Sequence, residues 1–402
     1  MADVDQAELV AVLARGPEGA AAVGRAWDRG NAVAALDPGA PEAVLRERLA
    51  QLRPTRVDDG DGPVSRRDGL PVPAAVGAVV STSGTTGSPR AVQLDHAALA
   101  ASARAVHAAI GAAPDDGWLC CLPLHAVAGL AIVARARTLG LPLTVHARFD
   151  PDAVAAAPTA GRANATLVSL VATMLGRLLE RDAPVGAFRT ILLGGGPVPA
   201  PLVARAIAAG AHVATTYGMT ETGGGCVHDG HPLDGVEVRL APATGETAET
   251  GEILVRGPVV MRGYHRDPEA TARAFTDDGW LRTGDLGAFG DDGRLQVVDR
   301  MRDLVITGGV NVSPTAVERV LVEHPTVREV CVAGAPDDEW GERVVAFVVP
   351  APDAAPPSLE SLRAFARERL TAAELPREIR VVTEIPRTAG GKPRRVSLRS
   401  EA

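Results

Sequence analysis

The sequence contains a loop whose side chains and backbone suit an oxyanion, the stretch STSGTTGSPRAV at residues 81–92. Five of the six residues from Ser81 to Thr86 carry a hydroxyl group, and a cation, Arg90, follows. Glycine lets backbone N–H groups turn towards an anion, and hydroxyl groups donate hydrogen bonds to its oxygens. The Walker spacing G-x-x-x-x-G-K-[ST] is not met, because Pro89 stands where it needs glycine. The loop is either a phosphate cradle of another type or an exposed surface turn.

A second glycine-rich stretch, ILLGGGPVPAPL, follows an apolar run and precedes a helical pattern. Gly194, Gly195 and Gly196 permit a flat ring to pack against the backbone. The dinucleotide fingerprint G-x-G-x-x-G is not met, because position 199 is proline. These glycines therefore indicate either a platform for a nucleotide base or a tight strand-to-helix turn.

The stretch TTYGMTETGGGC at residues 215–226 places three kinds of ligand-binding group just past a predicted buried strand. Open α/β sheets bind ligands at this edge. Tyr217 could stack on a base, Thr220 could hold a phosphate oxygen, and Glu221 could hold Mg²⁺, which prefers carboxylate oxygens. The alternative is a strand end followed by a capping threonine.

Three later stretches add charged groups on glycine-rich loops. In GWLRTGDLG, Asp285 suits a ribose diol, although an Asx-turn explains the same pattern. DRMRDLVITGGVNVSP brings charges together before Gly308 and Gly309. PRTAGGKPRR carries Lys392, which is either a mobile lysine that reaches a phosphate or part of a solvated basic tail.

Composition limits the classes of protein that these residues can serve. A chain of 402 residues with 46% hydrophobic residues predicts two or three domains with substantial cores. The net charge of −8 argues against nucleic acid or an anionic membrane as the main partner. The N-terminus lacks the pattern of a signal peptide, and no window is long and apolar enough to span a membrane. The four cysteines have no metal-binding spacing, so we expect buried thiols in a reduced, cytoplasmic setting.

Strands and helices alternate along most of the chain, which predicts an α/β fold with mostly parallel strands. In the first 50 residues, LVAVLARG and EAVLRERLAQL read as helices. The Gly/Pro/Asp-rich segment at residues 57–75 reads as an exposed loop. From residue 76 the pattern is strand and then helix, repeated up to the strand HVATTYG.

Two further regimes follow residue 224. Short strands with glycine-rich turns predict a β-rich subdomain, and from Arg300 onward the pattern predicts a compact α+β unit. Ser313 and Pro314 form a helix start, as N-cap and N1 residues. We therefore expect a large N-terminal domain at residues 1–299, built of layered α/β subdomains and the β-rich subdomain. A small mobile α+β domain is expected at residues 300–402.

Six stretches, in this order, resemble the adenylate-forming superfamily of acyl-CoA synthetases, nonribosomal adenylation domains and luciferases. They are STSGTTGSPR, YGMTE, GEILVRGPVVMRGYHRDPEAT, DGWLRTGDLG, DRMRDLVITGGVNVSP and PRTAGGKPRR, and they span residues 81–395. The resemblance implies a two-step reaction with MgATP and coenzyme A. A carboxylate attacks the α-phosphate to give an acyl-adenylate and pyrophosphate, and the thiol then attacks the acyl carbon and releases AMP.

The resemblance also implies a role for each matching residue. It assigns ATP binding to Thr82, Ser83, Gly84, Thr85, Thr86, Gly87, Arg90, Gly194, Gly195, Gly196, Tyr217, Gly218, Met219, Thr220, Asp285 and Arg300. Lys392 would bridge the acyl carboxylate and the α-phosphate, with Thr220 beside it, and Glu221 would hold Mg²⁺. His125 would lie at the entrance of the acyl pocket, where a satisfied core histidine is the alternative.

The second step in this family requires rotation of the C-terminal domain about a hinge in D-R-x-[DK]. That position is Arg302 here, and the rotation would bring Gly308 and Gly309 to the channel for coenzyme A. Three positions depart from the family pattern: Arg90 replaces lysine, Ala91 replaces glycine, and Arg302 replaces Asp or Lys, which could shift the pivot to Asp303. None removes a group that the chemistry requires.

Within the superfamily, LPLHAVAGLAIVARA, VSLVATML and TTYGMTETGGGCVHDGHPLDGV look most like the o-succinylbenzoate–CoA ligase subfamily of menaquinone biosynthesis. Its dianionic aromatic substrate would need a polar group at the end of a flat slot. Candidates are Ser169, Thr173 and Arg135, each with a structural alternative. Other readings are a ligase for another small aromatic or dicarboxylic acid, a carrier-protein-loading enzyme, or an adenylate-binding regulator without turnover. The sequence is compatible with a homo-oligomer.

Overall fold

The computed structural model of the chain describes residues 5–82, 90–159, 165–242, 250–352, 354–387, 393–395 and 397–398. The chain divides into two compact units. Unit 1 comprises residues 1–238 and 255–281, and unit 2 comprises residues 239–254 and 282–402. The mixed α/β architecture confirms the fold class that the alternating pattern predicts.

The helices of the described chain range from two to four turns. They are α1 Gly16–Asp28, α2 Glu42–Leu52, α3 His96–Ile110, α4 Val127–Leu139, α5 Pro151–Ala156, α6 Ala172–Leu179, α7 Ala200–Ala208, α8 Pro268–Ala274, α9 Pro314–Leu321 and α10 Leu359–Ala366. Among the described residues, no helix combines the length and the apolar character that crossing a membrane would require.

The strands are mostly short. In chain order they are β1 Gln6–Ala7, β2 Leu9–Val12, β3 Ala32–Ala35, β4 Arg56–Asp58, β5 Pro63–Ser65, β6 Val72–Pro73, β7 Val76–Ser81, β8 Ala91–Asp95, β9 Trp118–Cys120, β10 Leu143–Val145, β11 Leu167–Leu170, β12 Thr190–Gly194, β13 Val213–Met219, β14 Gly224–His228, β15 His231–Pro232, β16 Glu237–Pro242, β17 Thr250–Arg256, β18 Gly263–Tyr264, β19 Leu281–Phe289, β20 Leu295–Arg300, β21 Val305–Thr307, β22 Val310–Val312, β23 Val327–Asp337, β24 Gly341–Pro350 and β25 Glu378–Val381.

One sheet of unit 1 has the order β18-β8-β7-β3-β2-β4-β5. Its central strands β7, β3, β2 and β4 are parallel, whereas β18, β8 and β5 pair antiparallel with their neighbours. The prediction that residues 9–16 form a helix is wrong, since Leu9–Val12 is a strand in this sheet. All four of its residues are buried between parallel neighbours, and a short run that is buried on every side has no periodicity that separates helix from strand.

The segment at residues 57–75 also differs from its prediction as a plain exposed loop. It contributes part of β4 and all of β5 and β6, and β6 pairs antiparallel with β1. These strands have two or three residues each, and glycine and proline separate them. These residues form strands because they pair with distant parts of the chain, although their local sequence favours turns.

The second sheet of unit 1 has the order β10-β9-β11-β12-β13-β14-β15. Its first five strands are parallel, and β14 and β15 are antiparallel. Helices α5 to α7 pack on it and bury a core that includes Leu170, Leu175 and Ile191. The carboxyl ends of β12 and β13 therefore lie side by side at one edge, where ligands bind in such sheets.

Unit 2 contains a sheet with the order β16-β17-β19-β20 and a second sheet in which β21, β23 and β25 each pair with β24. Helices α9 and α10 cover the second sheet around buried Val317, Val344 and Leu362. Ser313 caps α9, since its Oγ accepts a hydrogen bond of 3.1 Å from Ala316 N, as predicted. Such a cap contributes about 1 kcal/mol to stability.

Candidate functional site

The glycines that end β12 let two backbones come together at the ligand-binding edge of the second sheet. Gly194 lies opposite Thr216 of β13, and a Cβ on Gly194 would lie 2.6 Å from the Thr216 carbonyl oxygen. Gly195 has φ of +81°, a conformation that favours glycine. The structure thus places Gly194–Gly196 next to the strand that leads to Tyr217, as the base-platform reading requires.

The residues after Tyr217 form a tight turn that fixes Glu221. Thr220–Thr222 is a 3₁₀ turn, and Thr222 Oγ1 accepts from Met219 N at 3.0 Å and lies 2.7 Å from the Gly224 carbonyl oxygen. The capping hydroxyl is therefore that of Thr222, so the Thr220 side chain is not used as the cap. The Glu221 carbonyl also accepts from Met261 N at 2.8 Å, which holds the turn against the chain that enters β18.

Glu221 is a buried carboxylate, with 8% of its surface exposed, and it has no cationic partner among the described residues. Tyr264 Oη donates to Glu221 Oε1 at 2.9 Å. The guanidinium of Arg90 lies 5.2 Å from the centre of the Tyr264 ring. Burial, and then the Glu221 charge, raises the pKa of Tyr264 to about 12, so the phenol remains a donor at neutral pH. Tyr264 links the predicted metal ligand to the cation of the hydroxyl-rich loop.

Sequence reasoning assigned no role to Tyr264. Its position arises from pairing between β18 and β8, in which Tyr264 lies opposite Val92, two residues after Arg90. The chain has two tyrosines, Tyr217 and Tyr264, and both lie within stretches that match the superfamily. The rarity of tyrosine in this chain is therefore a sequence signal for Tyr264.

The hydroxyl-rich loop connects two strands of a hairpin. Strands β7 and β8 are antiparallel, and at the base of the loop Thr82 N donates to the Arg90 carbonyl at 2.7 Å. Thr82 Oγ1 donates to the same oxygen at 3.1 Å. The sequence reading placed a helix directly after this loop, but β8 intervenes and α3 begins at His96. The loop residues Ser83, Gly84, Thr85, Thr86 and Gly87 lie outside the described residues.

Arg135 and Ser169, two of the three candidates for the acyl pocket, lie together. Arg135, on α4, is 5% exposed, and its Nη1 lies 3.5 Å from Ser169 Oγ of β11. Its guanidinium also lies 5.3 Å from the centre of the Trp118 ring. No carboxylate pairs with Arg135 in the described part of the chain, and its Nε has no hydrogen-bond partner there. The expected alternative of a solvated arginine is wrong.

The remaining acyl-pocket candidates are less defined. Thr173 is exposed in the first turn of α6, and no described contact joins it to Arg135. His125 is half-buried between β9 and α4. Burial lowers the pKa of His125, the nearby Asp37 carboxylate opposes that shift, and Arg15 adds to it. Arg15 and Asp37 form an ion pair of 2.5 Å, which sequence reasoning did not connect with His125.

In unit 2 the two residues assigned to the ribose lie together. Arg300 Nε lies 2.9 Å from Asp285 Oδ1, and the two residues are directly opposite in strands β20 and β19. Asp285 is 3% exposed and lies within a strand, so the alternative explanation as an Asx-turn is wrong. Its backbone N donates to Thr283 Oγ1 at 3.1 Å, which helps to fix the carboxylate.

The residues predicted to form the hinge and the glycine turn near the coenzyme A channel also lie in unit 2. Arg302 and Asp303 fall in a 3₁₀ turn, with 3.8 Å between Arg302 Nε and Asp303 Oδ1. Gly308 and Gly309 form the two-residue turn between β21 and β22, with φ of +57° and +78°. A Cβ on Gly308 would lie 2.7 Å from the Trp340 ring. Both the positive φ and this close contact therefore favour glycine at position 308. Lys392 lies outside the described residues.

The donor groups near Glu221 fit a magnesium ion that arrives with a nucleotide. Among the residues that the structure describes, no group of three or more His, Cys, Asp or Glu side chains could enclose a metal ion. Mg²⁺ commonly takes one or two protein carboxylates and completes its shell with phosphates and water. Glu221, held on one oxygen by Tyr264, is a carboxylate of that kind. The four cysteines are buried free thiols, as expected, and burial raises the pKa of Cys120, Cys121 and Cys331 to about 12.

Comparison with known families identifies the family of the chain. The chain belongs to the AMP-binding enzyme family, whose model matches residues 4–265. The model of the AMP-binding enzyme C-terminal domain matches residues 316–392. The resemblance to the adenylate-forming superfamily is confirmed.

Individual relatives give finer likenesses. The chain is 41% identical over 335 residues to the "probable 2-succinylbenzoate–CoA ligase" of Mycobacterium tuberculosis, covering 80% of this chain and 84% of the relative. Its fold is similar to o-succinylbenzoate CoA synthetase (MenE) from Bacillus subtilis in complex with the acyl-adenylate intermediate OSB-AMP. That match has a TM-score of 0.86 and 30% identity over 98% of this chain and 88% of that one. The same enzyme in complex with ATP and magnesium matches with a TM-score of 0.83 and 31% identity over 98% and 90% of the two chains.

Proposed function

We propose that this chain is an ATP-dependent, AMP-forming acid–CoA ligase whose acid is o-succinylbenzoate (2-succinylbenzoate), as in menaquinone biosynthesis. Membership of the AMP-binding enzyme family supports the reaction class. The observation that carries the choice of acid is Arg135, a buried cation without a carboxylate partner in the described chain. Burying an unpaired charge is costly, so a site that does so needs a ligand of opposite charge. A substrate with a second carboxylate supplies it.

In the first step an oxygen of the substrate carboxylate attacks the α-phosphorus of ATP, and the bond to the β-phosphate oxygen breaks, which releases pyrophosphate. In the second step the thiol sulfur of coenzyme A attacks the acyl carbon, the carbon–oxygen bond to AMP breaks, and the thiol proton goes to solvent. The first step brings anions together, so it depends on positioned cations and hydrogen-bond donors.

The residues of this chain divide that task. Arg90 and the hydroxyl groups of the loop before it would hold the β- and γ-phosphates, and Lys392 would bridge the substrate carboxylate and the α-phosphate. Tyr217 would pack on the adenine with Gly194–Gly196. Asp285 would accept from the ribose hydroxyls, with Arg300 holding its carboxylate in place. Thr220 would donate to the α-phosphate, and His125 would line the entrance of the acyl pocket.

Glu221 would hold the Mg²⁺ of MgATP, which neutralises phosphate charge when it is bound. Tyr264 keeps the Glu221 carboxylate oriented by donating to one oxygen. This arrangement needs no second protein carboxylate, because the nucleotide brings further oxygen ligands.

The thioester-forming step would use a second orientation of the C-terminal domain. We place the domain boundary at residues 299 and 300 and the pivot at Arg302 or Asp303. The turn at Gly308 and Gly309 would then line the channel for coenzyme A. Both ATP and coenzyme A are cytoplasmic metabolites, so we place the enzyme in the cytoplasm.

The test is pyrophosphate release from ATP with a panel of acids, with and without coenzyme A. We expect release with o-succinylbenzoate and an acyl-CoA product when coenzyme A is added. Release with benzoate or malonate but not with o-succinylbenzoate would overturn the choice of acid. Nucleotide binding without release for any acid would identify a regulator that has lost turnover.

A further inference from the structure

We propose that His228 is a specificity-determining residue that binds, together with Arg135 and Ser169, the substrate carboxylate that is not activated. This inference rests on the proposed function and adds to it His228, a residue to which the sequence analysis gave no role although it lies in the stretch TTYGMTETGGGCVHDGHPLDGV. It assigns a three-group carboxylate site to unit 1: a guanidinium, a hydroxyl and an imidazole N–H, contributed by α4, β11 and β14.

His228 is a buried side chain whose ring nitrogens have no hydrogen-bond partner within the described chain. It is 6% exposed at the end of β14. Buried polar side-chain atoms nearly always have a partner, so two orphaned nitrogens on one ring call for a ligand. The neighbouring carboxylate, Asp229, does not serve, because its Oδ1 accepts from the N and Oγ1 of Thr215, at 2.7 and 2.9 Å.

Two consecutive glycines of β14 lie close to Arg135 and to His228. A Cβ on Gly224 would lie 3.9 Å from Arg135 Nη2, and a Cβ on Gly225 would lie 3.3 Å from His228 Nε2. A Cβ on Gly225 would also lie 2.0 Å from Thr216 Oγ1, so the approach of β14 to β13 requires glycine at this position. Both glycines belong to β14, which packs on the helix that carries Arg135. The same short segment of β14 is therefore adjacent to the guanidinium and to the imidazole.

The charge of the site selects an anion. Arg135 supplies a positive charge with no protein counter-ion in the described residues, and Ser169 Oγ lies 3.5 Å from its Nη1. Burial, and then Arg135, lowers the pKa of His228 to about 4, while Asp229 opposes this shift. The ring is therefore neutral at pH 7 and donates one N–H. A carboxylate accepts from all three groups at once, whereas an uncharged substrate end would leave Arg135 unpaired.

The site implies discrimination between dicarboxylic and monocarboxylic aromatic acids. A site that is built to hydrogen-bond a substrate group rejects analogues that lack it, because its own polar groups are then left unpaired. Two analogues each keep one carboxylate of o-succinylbenzoate: 4-oxo-4-phenylbutanoate and 2-butanoylbenzoate. The one that supports pyrophosphate release in the wild-type enzyme serves as the mono-acid reference.

The test compares kcat and KM of pyrophosphate release for His228→Phe and wild type, with o-succinylbenzoate and with the reference mono-acid. We expect His228→Phe to raise KM for o-succinylbenzoate roughly 10- to 100-fold with little change in kcat, since a hydrogen bond to a charged group is lost. KM for the mono-acid should not rise. His228→Gln, which keeps an N–H donor, should recover part of the loss.

A matched control is His146→Gln. His146 also has a ring nitrogen, Nδ1, without a described partner. It follows β10, five strand positions from β14 in the same sheet, which is about 24 Å at the usual strand spacing. This variant should leave both KM values unchanged.

A double variant, Arg135→Met with His228→Phe, should raise KM by less than the product of the single effects, because both groups hold the same carboxylate. An unchanged KM for o-succinylbenzoate in His228→Phe, or equal changes for both acids in an enzyme that melts like wild type, would overturn the assignment. If wild-type enzyme releases no pyrophosphate with o-succinylbenzoate, the proposed function fails instead, and the two failures are distinguished.

Discussion

Two arginines, buried Arg135 in unit 1 and largely buried Arg395 in unit 2, have opposite surroundings. In unit 2, Arg395 Nη2 lies 2.7 Å from both Glu318 carboxylate oxygens, and its Nε donates to the Val332 carbonyl at 3.1 Å. Val332 N in turn donates to Glu318 Oε1 at 2.7 Å. In unit 1, Arg135 has a long contact with Ser169 and a ring beside it, but no described carboxylate. Burial lowers the pKa of Arg135 to about 10.

We interpret this difference as one between a structural charge and a charge that binds the proposed ligand. Glu318 and Arg395 satisfy each other, so the pair needs nothing from outside. Arg135 lacks a described counter-ion. Glu221 is the corresponding case with negative charge, since it is a buried carboxylate whose described side-chain partner is the neutral Tyr264. The proposed ligands carry the charge that each residue lacks as a partner: a substrate carboxylate for Arg135, and Mg²⁺ for Glu221. In the proposed binding site, a buried charge of either sign lacks an oppositely charged partner among the described residues.

The largest expected effect comes from breaking the paired arginine. Arg395→Met leaves the largely buried Glu318 carboxylate without its cation and should lower the free energy of unfolding by about 3–5 kcal/mol. Arg135→Met removes an unpaired charge and should leave that free energy unchanged or higher, while KM for o-succinylbenzoate rises. Urea unfolding followed by circular dichroism, with hydrogen exchange to locate the change, measures both.

Adding Glu318→Gln to Arg395→Met is the control, since it removes the stranded charge and should restore part of the stability. If Arg135→Met proved as destabilising as Arg395→Met, Arg135 would be a structural residue, and the contrast between the two arginines would be lost.

The fold of unit 1 was largely predictable from the sequence because its central strands, such as β9, β11 and β12, are fully buried and read as apolar runs between helical patterns. The failures have local causes. Leu9–Val12 is too short and too uniformly buried to show a period, and the two- and three-residue strands within residues 57–75 exist only through pairing with distant chain. Strand β8 was missed because five residues between a loop and a helix carry little signal of their own.

The site was predictable where its residues lie within one motif, and not where strand pairing brings them in. Gly194–Gly196 and Glu221 stand in recognisable local patterns. Tyr264 reaches Glu221 because β18 pairs with β8, and His228 comes near Arg135 because β14 turns back along β13. Nothing in the residues that flank His228 indicates that its ring is buried without a partner.

The next effect, in order of size, is a loss of stability in acid. Burial, and then Arg135, lowers the pKa of His107 to about 4, as it does for His228. The unfolded value is about 6.5, so between pH 6.5 and pH 4 the unfolded chain binds more protons. Stability should fall over this window by about 1.4 kcal/mol per pH unit for each histidine, and neither contributes above pH 6.5.

Urea midpoints at pH 7, 6 and 5 measure this loss. His228→Gln should remove the contribution of one histidine to the dependence of stability on pH. The contribution of His107, whose Nε2 accepts from Trp118 Nε1 at 2.8 Å, should remain. Parallel curves for the variant and the wild type would show that His228 is not held neutral in the folded protein.

A smaller effect on kinetics and stability is expected at Glu221, the buried carboxylate that Tyr264 binds. Tyr264→Phe removes the hydrogen bond to Glu221 and should lower kcat/KM for MgATP roughly tenfold, with a loss of about 1 kcal/mol in stability. Steady-state kinetics at varied MgATP, with the acid saturating, measures this. A loss of stability without any change for MgATP would mean that Tyr264 supports the fold and not the nucleotide site.

The smallest effect is expected where both charges are exposed. Arg256 binds Glu237 through two hydrogen bonds, Nε to Oε1 at 3.0 Å and Nη2 to Oε2 at 2.7 Å. Both are shorter than the 3.5 Å contact between Arg135 and Ser169. Water solvates both partners whether or not they meet, so exposed pairs contribute little. Glu237→Gln should leave the urea midpoint and all kinetic constants at their wild-type values. A stability loss comparable to that of Arg395→Met would show that pairing geometry, and not burial, decides which charges matter in this protein.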